Sequence, residues 1–594
     1  MVSTLVLVLA GVLAYTLLAT AAQRRGLLPE QVRVQGPITT IHTQHGKAVL
    51  DWLASPKRFW RAWGNFGIGI ALVVMAGSFV AVLLSAYGIV TQPEAAYITE
   101  PQNVLVIPGV NKFLPLAAAP EIVAGLLIGL VVHEGGHGLL CRVEDIDIDS
   151  MGLALFTIIP VGAFVEPDEA SRARADRGSQ TRMFAAGVTN NFAVSILAFL
   201  LLFGPLAGAL APAPGAPVGD TAPGSAAAAA GIQSGDVVTA VNDTQVTNET
   251  TLREALAAAD RTVRVSFRDR DPVVVERKLI LTRAVPSVVS GVNISGPPPT
   301  VTAVNGTAVY TESGFYDALA AHPVARLETT AGEATIVAGA YAGRVLPDEP
   351  LADAGAPTGE PVVVTSVAGE RVVTASDLSA TLAGTSPGET VEVVLYHEGT
   401  RQAYRVTLGE NPNGDGGFLG VGAIQQGSGG IDVTDFGVDV YPAEQYLGIL
   451  GGGAGDRGAG GGVGAFFQRL LLVLFLPFAS AIDPSLQYNF AGFVGTVPGF
   501  YVVEGPLAAL GGWVFTLANV AFWTGWINIQ LGFFNCIPAF PLDGGHILRT
   551  SVEAVVSRLP IEGGDDLTRA VTTVVSITML AAVGLMVFGP QLLT

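Results

Sequence analysis

Ile122-Val-Ala-Gly-Leu-Leu-Ile-Gly-Leu-Val-Val-His133-Glu134-Gly-Gly-His137 is the stretch that decides the fold. Eleven residues without a charge run directly into a glutamate flanked by histidines. From Glu121 to Cys141 the segment is long enough to cross a bilayer, which takes about 20 mostly apolar residues. A charged group in such a segment costs roughly 2.5–3.5 kcal/mol on insertion scales, so it usually has a function. On a helix, His133 and His137 lie four apart and face the same way, as two zinc ligands must. Glu134, beside them, can act as a base toward water. The alternative is an interfacial histidine pair that satisfies backbone carbonyls.

Other segments share this character. Val2–Ala22, Trp63–Val90, Phe184–Leu206, Leu507–Asn535 and Val571–Phe588 are further candidate spans, which makes six. Arg24 and Arg25 follow the first apolar run rather than precede it, so it reads as a retained anchor and not as a cleaved signal. Residues 23–62 hold seven basic side chains, residues 91–120 one (Lys112) and residues 142–183 five. Cytoplasmic loops are enriched in Lys and Arg, which places the first and third loops inside and residues 207–463 outside. Ala465–Ala481 is apolar but contains Arg469 and Pro477. It is expected to lie at or dip into the interface, because it joins two outside regions and is too short to cross twice.

Composition agrees. The 594 residues are 50% hydrophobic and 14% charged, with mean hydropathy +0.50. A soluble chain would carry about 25% charged residues. Acidic residues outnumber basic ones 50 to 31, and pI ≈ 4.8 with no basic tract disfavours nucleic-acid binding. Only four of the 31 basic residues are lysine, a balance resembling that of proteins from salt-adapted cells. Two cysteines, Cys141 and Cys536, make neither a disulfide framework nor a four-cysteine zinc site.

The long insert is a different material. Residues 207–463 hold 29 acidic and 14 basic side chains, or −15 of the net −19. Val238-Thr-Ala-Val-Asn-Asp-Thr-Gln-Val246 recurs as Val301-Thr-Ala-Val-Asn-Gly-Thr-Ala-Val309 and as Val364-Thr-Ser-Val-Ala-Gly-Glu-Arg-Val372, offset by 63 residues each time. Strand, Asn/Gly turn, strand and helix in fixed register indicate repeated small domains. The first copy, led in by Gly224–Asp236, resembles a PDZ domain, and so does the third, led in by Pro350–Glu360. The middle copy lacks such a lead-in and reads as partial or degenerate. PDZ domains bind extended peptides or C-termini by strand addition, and the alternative is a spacer that binds nothing. Gly451–Gly462 reads as a flexible linker.

A catalytic zinc keeps three protein ligands and an open position. Cys141 shares the helical face of His137 but also suits a small buried apolar side chain. Asp543, in Asn535-Cys-Ile-Pro-Ala-Phe-Pro-Leu-Asp-Gly-Gly545, is the other candidate: a carboxylate just past two prolines at a membrane helix end. Soluble-type zincins would instead take a downstream glutamate such as Glu553.

With HEGGH in one membrane helix and NCIPAFPLDGG near a distant one, the chain resembles the site-2 protease family of zinc intramembrane metalloproteases. The resemblance implies His133, His137 and Asp543 as zinc ligands and Glu134 as general base. It also implies that Asn535 contacts the substrate backbone or the reaction intermediate. Met151–Pro167 is similar to the strand-forming segment after the family's zinc helix. Ala186-Gly-Val-Thr-Asn-Asn191 resembles its A-G-P-x-x-N motif, with Val188 in place of proline and Asn191 as the matching asparagine, expected on the substrate side. PDZ insertions between catalytic halves also occur in this family.

The expected architecture is thus a polytopic α-helical membrane protein with an inserted α+β region of PDZ-like domains. Residues 1–120 hold N-terminal helices and a cytoplasmic loop, and 121–206 and 507–594 the two catalytic halves. Residues 207–290 form the first PDZ-like domain, 291–345 the partial repeat, 346–425 the second PDZ-like domain, 426–463 a Gly-rich linker and 464–506 the interfacial segment. Expected partners are a single-span membrane protein as substrate, a peptide or C-terminus at the PDZ-like domains, and the bilayer, with the active site toward the cytoplasm. A membrane zinc transporter and an inactive PDZ scaffold are the alternatives.

Overall fold

The computed structural model describes residues 4–43, 45–92, 107–111, 113–285, 297–412, 414, 416–451, 463–482, 488–560 and 563–593. They form two compact units, Met1–Pro212 with Glu444–Thr594, and Ala213–Ala443.

Four segments of the first unit are long and apolar enough to cross a membrane: Lys57–Thr91, Leu116–Val143, Arg177–Ala209 and Gly564–Leu593. Helices satisfy every backbone polar group internally, which is what hydrocarbon demands. The expected first span, Val2–Ala22, falls on the helix Thr4–Arg24. The expected fifth, Leu507–Asn535, is α-helical over Trp513–Asn535, which carries Asn519, Thr524 and Asn528, all three buried. A bundle interior tolerates polar groups that lipid would reject.

Ala119–Val143, Arg177–Leu201 and Trp513–Asn535 pack pairwise. Glycines set their spacing. A Cβ on Gly125 would lie 2.8 Å from the Trp523 backbone, and one on Gly525 2.7 Å from the Phe199 ring. At one end a buried carboxylate joins three helices: Glu144 accepts from Arg182 Nε (2.7 Å) and Ser179 Oγ (2.9 Å) and faces Arg61 Nε at 3.4 Å. Burial disfavours its charge, but these partners outweigh that and hold its carboxyl below the usual range.

Four antiparallel strands flank the bundle: β1 (Val32–Gln35), β2 (Ile38–His42), β3 (Ile148–Phe156) and β4 (Ile159–Pro167), in that order. β4 is therefore an edge strand. It runs alongside the helix Ala119–Val143, so the segment expected to form strand does so next to HEGGH.

Val463–Phe475 has 13 residues. At 1.5 Å per residue it spans about 20 Å, short of the ~30 Å hydrocarbon core. Its C-terminal end and its return touch Trp513–Asn535. Trp526 Nε1 donates to the Leu474 carbonyl (3.0 Å) and Trp523 Nε1 to that of Ala491 (3.2 Å). Asn519 then pairs both ways with the backbone of Phe493. The returning residues Ala491 and Phe493 thus meet the helix at Trp523 and Asn519, toward its N-terminus from Trp526.

The second unit holds three copies of one motif, and they are nested. In the first copy Ala216–Thr221 pairs with Val438–Val440, in the middle copy Ile280–Ala284 with Ile431–Thr434, and in the third Ala340–Val345 with Val421–Ile424. The closing strands thus follow in reverse order of the opening ones. Each copy has its own apolar cluster. The repeated turns bend as the sequence implies, with positive φ at Asn242, Asn305 and Ala368. The helices after them are capped by Asn248, Thr311 and Thr374.

Three boundaries change. The middle copy has its own core and takes its opening strand, 280–284, from the stretch assigned to the first domain. The third copy starts at Ala340 rather than 346. Residues 431–440, expected to be linker, are closing strands. The pairings behind these changes join residues up to 222 positions apart (Val218 and Val440), so no local pattern announces them. Apart from Gly451, the expected linker 451–462 lies outside the described residues.

Candidate metal centre

His133 and His137 project from one face of Ala119–Val143, and both are buried. Their Nε2 atoms lie 3.2 Å apart. Asp543, the first residue of the helix Asp543–Val556, brings Oδ2 to 3.1 Å from His133 Nε2 and 3.2 Å from His137 Nε2. Among the described residues this is the one group of three or more metal-binding side chains. Cys141 instead sits fully buried in an apolar cluster with Leu140, Val143 and Met183. Glu553 pairs with Arg549 at 2.9 Å and does not join the group.

The backbone around Asp543 explains its two glycines. A Cβ on Gly544 would lie 2.3 Å from the Ile537 carbonyl oxygen, and one on Gly545 2.8 Å from the backbone of Ala539. The Cys536–Phe540 turn folds back over the start of the helix, and only a bare backbone lets it close there. Gly187 does the same on the other side. A Cβ there would meet His137 Nε2 at 2.6 Å and His133 Cε1 at 2.8 Å, so the helix Arg177–Leu201 lays its backbone directly over both rings. Gly136 packs against Ala186 and Asn190, whereas Gly135 faces open space.

Two contacts fix the imidazoles. His137 Nδ1 lies 2.8 Å from the Met183 carbonyl, so it carries the proton and leaves a lone pair on Nε2. Asn191 is fully buried, with its carboxamide 3.2 Å from His133 Nδ1. As placed, Nδ2 faces the ring and Oδ1 has no donor. The two ends of a carboxamide are alike in shape and are assigned by hydrogen bonding. With Oδ1 toward the ring it accepts from His133 Nδ1–H, and His133 Nε2 is freed as well. Asn191, expected on the substrate side, lies against His133, where the packing of Arg177–Leu201 onto the histidines places it. Sequence could have suggested this only through its spacing from Gly187.

These protonation states test whether a metal fits. Both Nε2 atoms present lone pairs to Asp543 Oδ2, which is buried and has no hydrogen-bond donor. With both imidazoles neutral these are three mutually facing acceptors, which a cation between them would satisfy. Tetrahedral zinc with ligands at about 2.0–2.2 Å would separate them by about 3.3–3.5 Å, close to the 3.1–3.2 Å triangle found here.

Glu134 is half-buried beside the triangle, and its Oε2 accepts from the Val165 N–H of β4 at 3.1 Å. That N–H points off the sheet, so the free edge of β4 borders the site. Asn535 is half-buried; its Nδ2 donates to the Leu531 carbonyl of its own helix at 3.0 Å, and it does not touch the triangle. His546, one turn after Asp543, escaped the sequence reading because it has no ligand spacing. It stacks on Phe184 at 4.3 Å and meets Phe540 edge-on.

Apolar helices around a buried His–His–Asp triangle with an adjacent glutamate define a multi-pass membrane protein with a hydrolytic type of metal centre. The sequence model of peptidase family M50 matches residues 121–581. The chain belongs to that family, the site-2 proteases, which are zinc metalloproteases. The match takes in both catalytic halves and the insert between them.

Proposed function

We propose that the chain is a zinc-dependent intramembrane endopeptidase that cuts single-span membrane proteins in or near their transmembrane segments. The observation that carries this is the triangle of His133, His137 and Asp543 with Glu134 at its side, inside a bundle of apolar helices. Zinc, when bound, supplies a Lewis acid that acidifies water and polarises a carbonyl. His133, His137 and Asp543 would hold it. Glu134 would take a proton from the attacking water and pass it to the leaving amine. Asn535, clear of the ligands, suits a contact to the substrate backbone. A helical substrate hides its carbonyls in internal hydrogen bonds and must unwind before it is cut. The open edge of β4 beside Glu134 suits an unwound stretch that pairs as an added strand.

The topology consistent with this has six spans, with the metal centre toward the cytoplasm and the insert outside. The short Val463–Phe475 helix and its return fit a re-entrant segment. In the insert, the first and third copies keep strand, turn and helix in PDZ-like order, which suits peptide or C-terminus recognition.

Comparing membrane peptides in cells that carry active protein or Glu134→Gln tests the reading. Substrate fragments should accumulate uncut in the variant. Identical peptide profiles in both, with zinc moving across the membrane, would favour a transporter; identical profiles without transport would favour an inactive scaffold.

A further inference from the structure

We propose a second peptide-binding site in the insert, at the junction of the middle and third copies, that takes an extended segment with a basic side chain. It is distinct from a PDZ-like strand–helix groove, because its walls come from two copies, and it does not depend on the protease reading.

The middle copy's sheet ends on the strand Gly332–Val337. That strand forms a two-residue hairpin with Val324–Thr329, closed by the pair Thr329 and Gly332. In an antiparallel pair the backbone groups alternate between facing the partner and facing away. Counting from the closing pair, Glu333, Thr335 and Val337 turn their N–H and C=O away from the hairpin; the Val337 carbonyl packs on Gly429, which leaves Glu333 and Thr335 as the open part of the edge. Thr335 faces a cavity of about 540 Å³. An unpaired strand edge is a ready template for another chain.

The far wall belongs to the third copy and is acidic and aromatic: Tyr341, Tyr396, His397, Glu360 and Glu398. His397 Nε2 is held by Glu360 at 2.5 Å. Glu398 lies exposed at the rim with no such partner in its own copy. It also has a φ of +47° in the turn Glu398-Gly399. Such turns favour Asn or Gly, and a glutamate there carries backbone strain. A strained carboxylate beside two tyrosine rings is a receptor for Lys or Arg, through ion pairing and cation–π attraction. A strand laid on Gly332–Val337 sends alternate side chains to this wall.

The test uses full-length protein in detergent and fluorescein-labelled Thr-Val-Thr-Arg-Thr-Val-Thr, followed by anisotropy. The expected result is saturable binding, at least tenfold weaker when the central Arg is replaced by Glu and lost when alternate amides are N-methylated. Thr335→Pro removes an outward N–H that the hairpin does not use, so the fold should persist while binding is lost. Glu398→Gly should weaken binding at least fivefold and raise the melting temperature of the insert, because it relieves the turn. No binding, equal affinity for the Arg and Glu peptides, or undiminished binding by both variants would overturn the site.

Discussion

His133 Nε2 and Asp543 Oδ2 lie 3.1 Å apart although the two residues are 410 positions apart in the chain. As neutral imidazoles, neither histidine can donate to that oxygen once Met183 and Asn191 hold the Nδ1 protons. In that state, which is the metal-binding one, the pair calls for a cation between its members.

Glu134→Gln should abolish cleavage while zinc stays bound. Glu134 adjoins the ligands but is not one of them, and loss of a general base costs about 10²–10⁴ in rate. Purified variant that holds zinc and still cuts a model membrane substrate at the normal rate would refute its role.

Asp543→Ala should release zinc, whereas Cys141→Ala should retain it. The first removes one of three ligands; the second leaves a small cavity in an apolar cluster. Metal analysis of both proteins decides, and the reverse pattern of zinc loss would reverse the ligand assignment.

Asn191→Leu and Asn535→Ala should part company. Asn191 fixes the ring of His133, and partners of metal ligands are typically worth 10–100-fold in metal affinity. Asn535 is expected to affect turnover with zinc affinity unchanged. Competition against a chelator, beside cleavage rates, separates the two; equal zinc affinity in wild type and Asn191→Leu would count against the tautomer argument.

The insert, residues 213–443, should lose stability as pH rises from about 4.5 to 7. Burial, then the neighbouring Asp435 carboxylate, pushes Glu312 up from 4.5 to about 7. Between those values the folded state keeps a proton that the unfolded chain has released, so stability falls with rising pH and levels off above 7. The full effect is at most about 3 kcal/mol. Asp432 and Asp439, also raised chiefly by burial, act in the same direction. Thermal unfolding of the fragment across this range, with Glu312→Gln flattening the slope, is the check.

Single cysteines at Gly464 and Thr496 should both label from outside in a cysteine-free background, as a re-entrant segment requires. Labelling of position 496 from the cytoplasm alone would require a different route for the chain from the insert to Asp543.

What the sequence determined by itself was chemistry that local rules can express. Helical periodicity puts His133 and His137 on one face, a 20-residue apolar length marks a span, and a 63-residue offset marks a repeat. Tertiary structure decided which distant groups meet. Asp543 meets His133 and His137 because Gly544 and Gly545 let the Cys536–Phe540 turn close over its helix. Asn191 lies against His133 because Gly187 lets its helix lie directly over the two rings. The strands at 421–440 are too short to declare themselves, and they exist because opening strands as far back as Ala216 lack a partner on one edge. Each outcome depends on close approach between segments far apart in the chain, and residue spacing along one segment carries no record of that.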